Sequence, residues 1–244
     1  MNTLYSGTPW HISPATFISN QSLSPRRVIV VGGGLAGCFL AYALSKRGWQ
    51  VTVIEAHNQV GQGASGNTNA VLYPKFSAFR SPLIDLMLMS FLYAVRFYRP
   101  LIGTQVEGAL NGMLQFACNK REIASHANLS AWFDGNPELG RFVDKAEASK
   151  LVGLPLRAGG LFVPNSGWIN SSSLCNFLVN DPLITVRTNK QIDHLIYHQG
   201  AWEVAGVRAE VVIIANGNAA QQFKETAWLP LKKVAGQMTL VKAN

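Results

Sequence analysis

The chain has 244 residues, 48% of them hydrophobic and 14% charged, and a formal net charge of +8. That length can bury a core as one large domain or two smaller ones, and that composition excludes extensive disorder. The positive charge is compatible with an anionic partner such as a nucleic acid, but there is no dense Lys/Arg run to establish one.

Residues 1–26 mix Ser, Thr, Pro and Asn with Trp10, Ile12 and Phe17 and read as a linker or arm; their layout is not that of a signal peptide. The β-branched run Val28–Val31 then predicts a strand. Gly32, Gly34 and Gly37 follow at GxGxxG spacing, ahead of an apolar run of helical periodicity. A second β-branched run, Val51–Ile54, ends on Glu55. This is one strand–turn–helix–strand unit. Gly32 permits the tight turn, Gly34 lets a pyrophosphate approach the backbone, and Gly37 allows the helix to pack closely on the strand. Phosphates would sit on the helix N-terminus, and Glu55 stands where an acid accepts hydrogen bonds from an adenosine ribose. The uncharged stretch Val28–Ser45 also invites a membrane reading. Its glycines, its flanking Arg27 and Lys46 and its two different periodicities favour the soluble unit.

The segment Gly61–Ser77, rich in Gly, Ser and Asn, reads as a loop wrapped around a ligand at a strand's carboxyl end. Ser65, Asn67 and the amides near Gly63 and Gly66 are its phosphate donors. Pro82–Pro100 reads as a well-buried helix with a core stripe of Met and aromatic residues. Gly112–Ala117 predicts a strand, and Asn119–Phe133 and Lys145–Leu151 short helices. Gly160–Val163 predicts a strand, and Ser171–Ser173 are N-cap candidates for a helix through Asn180. Ile184–Thr188 reads as a strand, and Ile192–Tyr197 with Ala201–Val207 as a hairpin. Glu210–Gly217 reads as a buried strand whose Ala-Asn-Gly end brings backbone atoms to the same carboxyl edge as the first strand.

Cys38, Cys118 and Cys175 are scattered without CxxC spacing, so no disulfide framework is expected and a reducing cytoplasm fits. Cys38 is expected as a small buried residue. The five histidines show no metal-ligand spacing, and no metal is expected. No Ser–His–Asp pattern or Walker loop occurs, and no catalytic side chain is assigned. A flavin, which brings its own redox chemistry, suits such a chain.

The glycine turn with Glu55, the GASGN loop (Gly63–Asn67) and the late VVIIANG strand resemble the D-amino-acid-oxidase/glycine-oxidase superfamily of FAD enzymes. RGWQVTVIEA (Arg47–Ala56), GASGNTNAVLYP (Gly63–Pro74), Phe97-Tyr98, SGWI (Ser166–Ile169), GQM (Gly236–Met238) and Thr8-Pro9-Trp10 are similar to one branch of it. In that branch the FAD-dependent domain belongs to bifunctional proteins that modify tRNA wobble uridine. The resemblance implies an α/β fold: a Rossmann-like FAD-binding βαβ domain with an inserted, mainly antiparallel α+β substrate domain. The FAD-binding part would take residues 27–104 and 170–244, and part of the substrate domain residues 105–169.

The resemblance further implies that Gly32, Gly34, Leu35, Ala36, Gly37, Glu55 and Ala56 hold the ADP half of FAD. Gly63, Ala64, Ser65, Gly66 and Asn67 would line the pyrophosphate and flavin side, and Ala215, Asn216 and Gly217 would close over the cofactor. Tyr73, Lys75 and Trp168 are the implied substrate contacts. The implied reaction oxidises the C–N bond of a carboxymethylaminomethyl group on the wobble uridine of tRNA, releasing glyoxylate, in the cytoplasm. A methyltransferase domain is the implied neighbour, and the family's domain would continue past the equivalent of Asn244, its C-terminal part missing here. Two alternatives stay open: a small-molecule amino-acid or glycine oxidase of the same fold, and an inert FAD-binding fragment.

Overall fold

In the computed structural model, residues 26–77, 81–116, 129, 133, 135–234, 236 and 239 are described. The apolar run at the start makes β1 (Arg27–Val31), and β2 (Gln50–Ile54) follows α1 (Leu35–Ser45). With β9 (Ile184–Arg187) and β13 (Val211–Ile214) they form a parallel sheet of order β13-β1-β2-β9. Strand order therefore reverses at β1, with β2 on one side and β13 on the other.

Val28–Val31 are all at most 3% exposed because β1 is covered on both faces. Val28 and Val30 pack with Ala41 of α1, whereas Ile29 and Val31 pack with Val204 and Ala209. The latter two belong to the antiparallel sheet β10 (Ile196–His198), β11 (Ala201–Val204) and β12 (Val207–Ala209). Alternate side chains of one strand thus bind a helix layer and a second sheet. On the helix side Cys38 packs with Leu174, Cys175 and Leu178 of α4 (Ser171–Val179).

Two further antiparallel sheets complete the described structure. One joins β3 (Ala70–Leu72), β8 (Gly167–Ile169) and β4 (Gly108–Ala109). The other joins β5 (Met113–Phe116), β7 (Gly160–Val163) and β6 (Arg141–Val143). Helix α2 (Pro82–Tyr98) starts at the Ser81 cap and lays Phe91 and Val95 against Leu161 and Val163 of β7. The helix α3 (Lys145–Val152) opens with the Asp144 side chain accepting from the Glu147 N–H at 2.8 Å and stops at Gly153 in the left-handed region.

Several expectations need correction. Helix α2 is not well buried: only Ile84, Phe91, Val95 and Tyr98 are, while Leu83, Leu86 and Met89 are more than 60% exposed. Its apolar residues run around more of the cylinder than one packing face can cover. The 171–173 serines do not cap α4; Asn170 does, its side chain accepting from the Ser173 N–H at 3.1 Å. The expected hairpin is shorter, and Val207 belongs to the next strand, β12. Strand β13 lies at an edge and is half-exposed rather than buried. Strand β3 arises within the stretch read as loop, and β8 where no element was expected. All of the arm but Arg26, most of the helix expected over Asn119–Phe133 and most of the Gly236–Met238 match lie outside the described residues.

Candidate dinucleotide cleft

A cleft of ≈ 730 Å³ opens at the carboxyl ends of β1, β2 and β13. Open α/β sheets bind ligands at such a reversal of strand order, because the loops leaving neighbouring strands diverge there. Four loops line the cleft: the glycine turn after β1, residues following β2, Lys190–Ile192 after β9, and Ile214–Gln222 after β13.

The glycine turn is built by close backbone approach. Gly32 has φ +108°, and a Cβ there would lie 2.6 Å from the Ala215 carbonyl oxygen. Its N–H donates to the Ile54 carbonyl at 2.8 Å, and the Ala215 N–H donates to the Val31 carbonyl at 2.8 Å. The turn is thereby tied to both neighbouring strands. A Cβ on Gly37 would overlap the Gly32 carbonyl oxygen, so Gly37 serves the packing of α1 on the turn and does not line the cleft.

The α1 N-terminus faces this space with Gly34 as its cap and no acidic residue in its first turn. Its free N–H groups and positive dipole end suit an anion. The Ser65 hydroxyl, on a 3₁₀ turn Gly63–Ser65, accepts from the Leu35 N–H at 3.0 Å, and its own proton stays available to a ligand. The Gly61 N–H donates to the Gly33 carbonyl at 2.8 Å, and the Ser172 hydroxyl to the Gly61 carbonyl at 2.6 Å. This loop is held between α1 and α4.

Glu55 is only 6% exposed. Its Oε2 accepts from the Gly33 N–H at 2.6 Å, and its Oε1 from the His57 N–H at 2.8 Å and from His57 Nδ1 at 2.6 Å. Burial pushes the carboxyl up, but the hydrogen bonds from His57 backbone and ring and from Gly33 outweigh it and hold the group below the usual carboxylate range. Across the cleft, the Asn216 Oδ1 is buried without a protein partner among the described residues. Such an orphaned acceptor calls for a ligand donor. Beneath the turn, Cys38 is fully buried; its hydrogen bond with Cys175 and its burial push the thiol up, leaving no reactive thiolate.

The cleft gathers Gly32, Gly34, Leu35, Ala36, Glu55, Ala56, Gly63, Ala64, Ser65, Ala215, Asn216 and Gly217 from the sequence-predicted residues. Gly66 and Asn67 stand outside it: the Gly66 N–H closes the 3₁₀ turn on Gly63, and the Asn67 carbonyl accepts from the Ser171 N–H. Tyr73, Lys75 and Trp168 also lie outside it; Trp168 sits in β8 between Val71 of β3 and Ala109 of β4. Sequence reasoning missed His57, Gln62, Lys190, Gln191, Ile192 and Gln222. The available signal was position, since residues just past the ends of parallel strands line such clefts. Among the described residues no group of three metal-binding side chains occurs, and no helix is long and apolar enough to cross a membrane.

Parallel sheet, glycine turn and buried acid define an α/β protein with the architecture of a dinucleotide-binding domain, and the family model described as "FAD dependent oxidoreductase" (DAO) matches residues 27–244. The chain belongs to that family. It is 44% identical over 238 residues to the tRNA 5-methylaminomethyl-2-thiouridine biosynthesis bifunctional protein MnmC of Legionella pneumophila strain Philadelphia 1, covering 97% of this chain and 35% of that protein. The protein of the same name from Pseudomonas putida strain GB-1 is 38% identical over 97% of this chain and 36% of its own length. The chain thus spans about a third of these curated relatives. Among solved structures, glycine oxidase from Geobacillus kaustophilus shares the fold with a TM-score of 0.68 at 23% identity, over 84% of this chain and 60% of that one.

Proposed function

We propose that the chain binds FAD in the cleft and serves the oxidation of a C–N bond in a carboxymethylaminomethyl group on the wobble uridine of tRNA, in the cytoplasm. The observation that carries the reading is the α1 N-terminus with Gly34 and Ser65 beside the buried Glu55. A dinucleotide of ADP type meets there both an anion site and a ribose acceptor. The tRNA part is supported by the likeness to the two bifunctional proteins over nearly the whole of this chain, and the net charge of +8 suits a polyanion.

Bound FAD supplies the two-electron acceptor for such an oxidation. The chain's own residues bind and orient. The α1 N–H groups and the Ser65 hydroxyl would take the pyrophosphate, Glu55 the ribose, and the Ala215–Gly217 backbone with Asn216 Oδ1 the opposite rim. We assign residues 27–104 and 170–244 to the FAD-binding part and 105–169 to substrate binding; Trp168 of the latter, together with Tyr73 and Lys75 of the former, would meet the uridine.

The test is nucleoside mass spectrometry of undermodified tRNA incubated with the FAD-loaded chain. The proposal expects carboxymethylaminomethyl-uridine to decline as aminomethyl-uridine and glyoxylate appear. Turnover of free glycine or sarcosine without any change in tRNA would replace it with a small-molecule oxidase, and bound FAD with no turnover of either would leave a binding fragment.

A further inference from the structure

Glu55 does not stand free at the end of β2. An ionised carboxylate offers about four acceptor positions. Three are taken by protein donors among the described residues: the Gly33 N–H on Oε2, and the His57 N–H and Nδ1 on Oε1. A ribose presents two neighbouring hydroxyls, and a single remaining position serves only one of them.

The second acceptor stands next to it. Glu55 accepts and cannot donate, so the Nδ1 of His57 is the nitrogen that carries the proton, and in the neutral ring Nε2 keeps its lone pair. The His57 side chain is 57% exposed and lines the cleft. Its place is fixed from both sides: the Asn189 N–H donates to the His57 carbonyl at 2.8 Å and the Lys190 N–H to the Glu55 carbonyl at 2.9 Å. The ring is therefore mounted on backbone hydrogen-bonded to the loop after β9.

We infer that His57 is a cofactor-binding residue: Glu55 accepts one ribose hydroxyl of the dinucleotide and the Nε2 of His57 accepts the other. The inference rests on the dinucleotide reading and deepens it, for the pair recognises a diol where a lone Glu55 recognises one hydroxyl. Glu55 has a double task, since it both binds the ribose and sets the His57 tautomer.

Calorimetric titration of the whole chain with ADP, 2′-deoxy-ADP and 3′-deoxy-ADP tests it, with wild type, His57→Asn and His57→Ala side by side. Asn keeps an N–H where Nδ1 stands and lacks the Nε2 acceptor. Wild type should bind ADP about tenfold tighter than either deoxy analogue, the size of one lost hydrogen bond. His57→Asn should bind ADP about tenfold more weakly and lose the discrimination against one analogue, while melting without nucleotide like wild type. His57→Asn with wild-type affinity and both discriminations intact overturns the inference. So does a His57→Ala variant that melts earlier but keeps the wild-type ratios, because the ring is then only structural. Failure of wild type to bind any of the three overturns the dinucleotide reading itself.

Discussion

The glycine turn and helix α2 are both apolar runs, yet they are held by different means. At the turn, the tightest constraints are backbone against backbone, Gly32 against Ala215 and Gly37 against Gly32, and the Gly33 N–H is held by the Glu55 carboxylate. Along α2, Phe91 and Val95 anchor one stripe to β7, Tyr98 packs with Cys38 and Leu174, and Leu83, Leu86, Met89 and Tyr93 are exposed. The difference teaches that a local motif specifies its own geometry when the contacts are main-chain. Where they are side-chain contacts, burial depends on what another part of the chain brings alongside.

That contrast can be broken by substitution. The largest loss is expected at Gly37→Ala, where the new Cβ meets the Gly32 carbonyl and nothing flexible can yield. A cost of about 5 kcal/mol or more is expected, read as loss of cooperative urea unfolding or of soluble folded chain. On α2, Phe91→Ala should cost about 3–5 kcal/mol, since Phe91 is 4% exposed against Leu161 and Val163. A Phe91→Ala midpoint close to wild type would show that α2 is not anchored through this stripe.

Glu55→Gln is expected to fall between these and the surface changes, at about 1–3 kcal/mol, because one of its N–H donors loses its acceptor. The effect carries a pH signature. A carboxyl held below its ordinary range in the folded chain adds stability above that range and loses it as pH falls through the lowered native value. The gap between wild type and Glu55→Gln should therefore be full at neutral pH and close on acidification below the ordinary carboxylate range. A gap independent of pH would contradict the assigned hydrogen bonds. The smallest effect belongs to Leu86→Ser, on the outward face of α2, within about 0.5 kcal/mol of wild type by the same unfolding curves.

The same distinction explains how far the sequence was legible. Residues 28–55 announce strand, turn, helix, strand and acid in order, and the structure has each of them, because glycine spacing and β-branched runs are local signals. Strands β3, β4 and β8 are two or three residues long, too short for alternation to register, and exist through pairing with distant partners. The α4 cap moved from the serines to Asn170 because the Glu107 carbonyl accepts from the Asn170 N–H at 2.8 Å, a long-range bond that fixes where the helix starts. His57 and Lys190 were missed as cleft residues for a related reason. Their place follows from two parallel strands ending side by side, and β9 lies far along the chain from β2.

The central claim is that the cleft holds the ADP end of FAD, and competition in flavin fluorescence tests it most directly. The apo chain is titrated with FAD, then with FMN, then with FAD in the presence of excess ADP. The account predicts saturable FAD binding at one equivalent, displacement by ADP, and much weaker binding of FMN, which lacks the adenosine that Glu55 recognises. FMN binding as tightly as FAD, or FAD that ADP does not displace, would contradict it.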